Sequence, residues 1–359
     1  MKTKLPDLVI GDLRINPPII QGGMGVRVST ARLAVSVSNE GALGVIASVG
    51  LGDEKESELD YVASSEKALR EQIRKAKALT KGYIGVNIMF VLTNYESLVK
   101  ASVEEGADLI ITGAGLPLRL PSYVGNSKIK LVPIVSSGRA AEIICEAWLK
   151  KYNRLPDAII IEGPLAGGHI GFKFSEIIPE IKITLEEILK DVLQVVTKYR
   201  SNGKNIPLIA AGGIFTGKDI AKMLKLGANG VQMATRFVCT DECEVSQAYK
   251  DSYLKSSKDD IIVILSPVGL PGRVIKNKFV ERIESGEKIK FRCPYKCLKT
   301  CNPETVNYCI ADALVNASKG DLENGFVMCG ANAYRVKKTV KVKELIKELV
   351  DEAILEYYK

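Results

Sequence analysis

Ala158-Ile159-Ile160-Ile161-Glu162-Gly163-Pro164-Leu165-Ala166-Gly167-Gly168-His169 carries the clearest structural signal in the chain. Its β-branched run suits a strand covered on both faces, and the Gly-Pro pair ends that run abruptly. Working outward, similar apolar runs closing in small or turn-forming residues occur at 18–21, 43–48, 84–90, 109–112 and 131–135 before it, and at 207–211 and 230–233 after it. Between them lie amphipathic stretches with helical spacing, among them 65–79, 140–151, 185–199 and 218–226. The third opens Thr184-Leu185-Glu186-Glu187, where Thr184 and Glu187 have the spacing of a capping box. Eight strands with seven helical connections in roughly 230 residues describe a TIM (β/α)8 barrel. An open doubly wound sheet is the alternative, and it generally uses fewer strands.

Composition narrows the function classes. The 359 residues hold 46% hydrophobic and 26% charged side chains, a globular balance that excludes wholesale disorder. Lys and Arg exceed Asp and Glu by 50 to 42, but the excess is spread along the chain and accompanies no aromatic-rich basic motif, so we expect no nucleic-acid partner. A mildly basic mouth still suits an anionic substrate or an acidic carrier protein. Met1-Lys2-Thr3-Lys4-Leu5-Pro6 leads into no signal-like apolar region, and runs such as 261–265 fall far short of the roughly 20 residues that cross a bilayer. We expect no membrane association and a cytoplasmic protein. Eight cysteines in a chain of this size fit reduced thiols.

The domain organisation reads as a barrel over 1–255, an inserted lid or small second domain over 256–328, and a segment over 329–359 that packs back on the barrel. In the last, Leu345, Ile346, Leu349, Val350 and Ile354 are spaced as one face of a helix over 342–357. The insertion holds Cys293, Cys297, Cys301 and Cys309 at C-x3-C-x3-C-x7-C. On a helix bounded by Pro294 and Pro303 the first three would share a face. Such thiols suit zinc or an iron–sulfur cluster, but the spacing matches neither common ferredoxin pattern, so we read them as small packing residues and expect no metal. Cys239 and Cys243 repeat the spacing and read as helix-face packing.

Glycines gather where strands end: Gln21-Gly22-Gly23-Met24, Glu162 through His169, and Ala211-Gly212-Gly213. In a barrel these ends share one rim, where glycine lets backbone approach a flat or anionic ligand. Gly212-Gly213-Ile214-Phe215-Thr216-Gly217-Lys218-Asp219 places Thr216 as an N-cap before a helix whose amides suit a phosphate. Gln232-Met233-Ala234-Thr235-Arg236 adds amides after strand eight. We expect a phosphorylated cofactor or substrate there. No Walker A loop or G-x-G-x-x-G fingerprint accompanies a strand and helix. His169 is the only imidazole in the chain; its rim position suits proton abstraction or donation at a reacting carbon. One histidine without a paired ligand cluster does not complete a usual metal site.

At these residues the sequence resembles the nitronate monooxygenase family, formerly called 2-nitropropane dioxygenases, and the related flavin-type enoyl-acyl-carrier-protein reductases. The likeness spans most of 5–255 and the tail. It rests on Pro18-Ile19-Ile20-Gln21-Gly22-Gly23-Met24, Gly85-Val86-Asn87, Glu162 through His169, Ala211-Gly212-Gly213-Ile214 and Gly230-Val231-Gln232-Met233-Ala234-Thr235-Arg236-Phe237. The resemblance implies FMN as cofactor. By it, Gly22, Gly23 and Met24 lie along the isoalloxazine, and Asn87 and Glu162 hydrogen-bond it. Gly167 and Gly168 pass close by, and Gly212, Gly213, Gln232, Met233, Ala234 and Thr235 bind the phosphate end. His169 takes the catalytic place beside the flavin, as a base or an orienting donor. Gly330 and Asn332 return toward the pocket. The implied activity is oxidation of an alkyl nitronate by O2 to a carbonyl compound and nitrite. The alternative is NAD(P)H-dependent reduction of an enoyl thioester, a form closer to Ile170 after His169. A flavin- or metal-binding interaction protein is the third reading. Pro164-Leu165-Ala166 departs from the family's usual residues before Gly-Gly-His.

Overall fold

The computed structural model describes residues 4–178, 180–199, 205–293 and 295–359. Eight parallel strands build the centre: β1 (Ile19–Gln21), β2 (Gly44–Ala47), β3 (Ile84–Asn87), β4 (Leu109–Thr112), β5 (Lys130–Val135), β6 (Ile159–Glu162), β7 (Leu208–Ala211) and β8 (Gly230–Met233). Neighbours in the sheet follow chain order, and β8 returns to pair with β1. The last seam, between β1 and β2, is closed by a parallel bridge of Ile20 with Leu43. There Gln21 N and Leu43 N each donate across it at 2.9 Å. The eightfold alternation thus folds as the expected TIM barrel, and each expected strand overlaps one observed strand, that at 131–135 beginning one residue earlier.

Side-chain parity explains both the filling of the barrel and its chemistry. Ile20, Val45, Leu109, Ile111, Val132, Ile160 and Ile209 point inward and form one apolar cluster with Leu8, Ile10, Leu13 and Ile15 of an N-terminal hairpin that plugs the lower end. Ile19, Ile46, Val86, Ile159, Ile161 and Val231 point outward against the helices. Residues two apart on a strand share a face. Glu162 therefore follows Ile160 into the barrel, and Asn87 and Gln232 take the faces opposite to Val86 and Val231. All three are the last or next-to-last residues of their strands, so three polar groups face the upper mouth.

The helices that matter to this mouth match their sequence spacing. Helices α1 (Tyr61–Leu79), α2 (Gly138–Tyr152), α3 (Leu185–Thr197) and α4 (Gly217–Lys225) contain or nearly coincide with the expected segments. Both capping boxes form, Thr184 with Glu187 and Thr216 with Asp219. Following α5 (Ile310–Lys319), the last helix, α6 (Val342–Tyr357), packs on α4 and buries Leu345, Ile346 and Leu349.

Above the mouth sits a cap whose sheet is absent from the sequence reading. Antiparallel strands β9 (Ile261–Leu265) and β10 (Pro271–Ile275) pair across a tight turn, and β10 also pairs with β11 (Val327–Met328). On the same strand, Gly272 and Arg273 pair with His169 and Gly168 of the barrel's own loop. The expected helix through Cys293, Cys297 and Cys301 does not form. The described part of that stretch is irregular, with Lys296 at φ 45° and Leu298 bridging to Leu92 of the barrel. Pro294 lies outside the described residues, and Pro303 sits in a turn. Cys239 and Cys243 do not share a helix face either. Both lie beyond the short helix Thr235–Val238, are buried, and approach the carbonyls of Lys250 and Val28.

Candidate active site

Gly22, Gly23, Met24, Asn87, Glu162, Gly167, Gly168, His169, Gly212, Gly213, Gln232, Met233, Ala234 and Thr235 all line one cavity of about 290 Å³ at the upper mouth. They arrive from the ends of five different strands, β1, β3, β6, β7 and β8, so their meeting is a consequence of barrel closure. Two glycine positions show why side chains are excluded there. Gly213 adopts φ +88°, left-handed backbone that other residues reach only with strain. At Gly167 a Cβ would lie 2.6 Å from the backbone of Cys329 and Gly330, where the tail crosses the loop.

The electrostatics are set by burial. Removal from water raises the Glu162 carboxyl to about 7, and the Arg273 guanidinium partly opposes that rise. Burial holds the His169 imidazole neutral, pushing it down to about 4. Arg273, from cap strand β10, is 4% exposed and is the neighbour that the sequence reading missed. Its guanidinium donates to Pro164 O at 2.9 Å and to Ala166 O, gripping the loop between Glu162 and His169. Through these carbonyls the Pro164-Leu165-Ala166 loop presents backbone acceptors to a buried cation. Ser266, also missed, lies 2.8 Å from His169 Nε2 through its Oγ. No local pattern marks either residue as functional, because both reach the site only through non-local pairing of β10 with the barrel loop.

Gly330 lines the cavity, while Asn332 braces it by donating from Nδ2 to Gly213 O at 2.7 Å. The phosphate expectation needs one correction. At the start of α4, Phe215 N and Thr216 N donate to Asp219, and Gly217 N donates to Glu352 of α6 at 2.7 Å. That helix terminus is occupied by the protein's own carboxylates. Among the described residues, nothing accepts a hydrogen bond from the amides of Gly213, Ile214 or Ala234, which border the same cavity. Gln232 Oε1 is buried there with no partner. A glycine floor, an orphaned amide oxygen and unused backbone donors fit a flat cofactor with an anionic tail. The opposite wall is apolar, formed by Leu92, Val268, Leu298, Ile310, Leu314 and Val315. Among the described residues no group of three or more His, Cys, Asp or Glu is arranged to hold a metal ion, and no helix is long and apolar enough to cross a membrane.

Known proteins resemble this chain in sequence and in fold. A probable nitronate monooxygenase of Staphylococcus saprophyticus is 32% identical over 301 residues, 78% of this chain and 81% of that protein. The (3aS,4S,5R,7aS)-5-hydroxy-7a-methyl-1-oxo-octahydro-1H-indene-4-carboxyl-CoA dehydrogenase of Mycobacterium tuberculosis is 31% identical over 290 residues, 81% of this chain and 70% of that one. FabK from Thermotoga maritima superposes with a TM-score of 0.73 at 31% identity, covering 94% of this chain and 93% of that one. A nitroalkane oxidase from Streptomyces ansochromogenes shares the fold, with a TM-score of 0.73 at 19% identity over 95% of this chain and 96% of that one. The nitronate monooxygenase family model matches residues 7–96 and 89–352, which takes in the barrel, the cap and most of the last helix. With the cavity, the cap and the sequence in agreement, the chain belongs to the nitronate monooxygenase family and is a flavin-dependent oxidoreductase.

Proposed function

We propose that the flavin is FMN and that the substrate is an acyl thioester, reduced or oxidised next to its carbonyl. The observation that carries the choice is the apolar wall from the cap, where Leu298, Ile310 and Leu314 face the glycine rim. A small nitronate needs little of that wall; an acyl chain fills it. The indene-4-carboxyl-CoA dehydrogenase among the relatives, by its name acting on a CoA thioester, supports the same substrate class. In this reading residues 1–255 hold the cofactor, 256–328 receive the acyl chain, and 329–359 fasten the rim.

Bound FMN supplies hydride transfer. The protein supplies everything around it. Gly22, Gly23 and Met24, which line the cavity, would leave room for the ring, and Asn87 and Gln232 would meet its polar edge. Gly168 and Met233 would close on it beside Gly167, while Gly212, Gly213, Ala234 and Thr235 would border its phosphate. Glu162 offers a carboxyl that changes charge near neutrality, and His169, which lines the cavity, would meet the thioester oxygen as a neutral ring. The apolar cap wall lowers the dielectric around the mouth, which would strengthen each of these hydrogen bonds.

The second reading, oxidation of an alkyl nitronate with O2, is favoured by the Staphylococcus relative. An anaerobic titration separates the two. Purified protein is expected to carry flavin absorbance that NADH or NADPH bleaches and a medium-chain enoyl thioester restores. Bleaching by a nitronate, with thioesters inert, would establish the second reading and overturn the first. Protein that neither carries nor takes up FMN would remove both.

A further inference from the structure

We propose that the buried Ser266 hydroxyl fixes His169 as its Nδ1–H tautomer, so that the ring presents a hydrogen-bond donor, and not a base, to the cavity. Ser266 sits in the tight turn between β9 and β10. Its own amide donates to Leu270 O at 3.1 Å, and its carbonyl accepts from Gly269 N at 2.8 Å. Ser266 is 3% exposed, so its hydroxyl is turned toward protein partners. Its Oγ accepts from Val268 N at 3.2 Å and lies 2.8 Å from His169 Nε2.

The tautomer follows from counting partners. A buried hydroxyl proton requires an acceptor, and among the described residues His169 Nε2 is the only one within hydrogen-bonding distance of Ser266 Oγ. Were Nε2 protonated, Oγ would accept from both neighbours and its own proton would be stranded. The ordered arrangement is Val268 N–H to Ser266 Oγ, then Ser266 O–H to Nε2. The ring is neutral, so its one proton resides on Nδ1. Nothing among the described residues accepts from Nδ1, and His169 lines the cavity. Its free donor therefore serves the ligand.

The assignment deepens the thioester reading and rests on it only for the identity of the acceptor. A donor suits an oxygen that gains negative charge, such as a thioester carbonyl becoming enolate-like. It does not suit removal of a proton from carbon, since the nitrogen with a lone pair faces Ser266. Ser266 is thus a positioning residue that acts through His169. The cap writes the protonation state of a group that belongs to the barrel.

Because the chain has a single histidine, 15N-histidine labelling of the flavin-loaded protein gives one imidazole to read. The expected spectrum near neutral pH shows the attached proton on Nδ1 and a bare Nε2. Ser266→Thr keeps that pattern. Ser266→Ala populates the Nε2–H form and lowers kcat by roughly tenfold or more with a smaller change in KM. Flavin absorbance reports whether each variant retains its site. A ring protonated on Nε2 in the unmodified protein would overturn the proposal, as would an Nδ1–H ring left unchanged in Ser266→Ala. Neither spectrum depends on the substrate, so failure of the thioester reading leaves this test intact.

Discussion

The barrel rim and the cap face each other across one cavity, yet they contribute by different means. The rim works through backbone: glycines that admit a ligand, amides of Gly213, Ile214 and Ala234, and only a few inward side chains. The cap works through side chains: Arg273 grips a rim loop, Ser266 holds His169, and Leu298, Ile310 and Leu314 shape the far wall. On the proposed reading, the contrast teaches that cofactor capacity is built into strand ends, whereas substrate choice and ring chemistry are imposed from outside the barrel.

The hardest blow to this division is on the rim. Gly23→Val would place its Cβ about where Asn87 Cβ lies, only 2.3 Å away, and the βα loops would have to part. We expect loss of bound flavin and of all activity, read from the absorbance of the purified variant; retained flavin would show that the rim tolerates bulk. Next comes the donor between the two halves. His169→Ala should keep flavin and lower kcat by roughly 100- to 1000-fold, the usual loss for one preorganised donor to a developing oxyanion.

Arg273→Met tests whether the cap holds the rim. It leaves Pro164 O and Ala166 O without their donor and removes the cation that restrains Glu162. Thermal unfolding should show a loss of about 3 kcal/mol, with the Glu162 carboxyl shifted still higher. Leu314→Ala is a smaller change confined to the cap wall. Flavin binding should stay intact while kcat/KM for the best acyl chain falls about tenfold and the optimum moves to longer chains. An unchanged chain-length profile would remove the cap from substrate selection.

The smallest effect concerns pH in the flavin-free protein. Glu162 is raised to about 7 in the fold against an ordinary carboxylate value near 4.5, so the folded state holds a proton that the unfolded chain releases. Its penalty therefore grows as pH rises from about 4.5 to about 7. Glu162→Gln should raise the Tm by a few degrees at pH 8 and leave it unchanged near pH 4. His169 has the opposite sign: its low value destabilises the fold as pH falls from about 6.5 toward 4. His169→Gln should remove that acid-side loss.

The contrast also separates what the sequence discloses from what it conceals. Strand ends and their glycines are local signals, and parity on β3, β6 and β8 alone places Asn87, Glu162 and Gln232 inside the mouth. The lone His169 stood out by position. Arg273 and Ser266 lie in the stretch read only as an inserted lid or small second domain; their importance arises from pairing with a loop about a hundred positions earlier. The irregular path through Cys293, Cys297 and Cys301 defeats helical spacing for a similar reason, since Leu298 is drawn into a bridge with Leu92. The α4 amides were misjudged because Glu352 reaches Gly217 from 135 residues away.

That last hydrogen bond has a consequence for how the protein is made. When α4 leaves the ribosome, Gly217 has no Glu352 to accept from its amide, and the apolar face of α4 has no α6 against it. At 5–20 residues per second, translation of the intervening chain takes roughly 7–27 s. During that interval the face of α4 that the last helix covers in the finished fold is open to solvent, and the Gly217 amide is left to water.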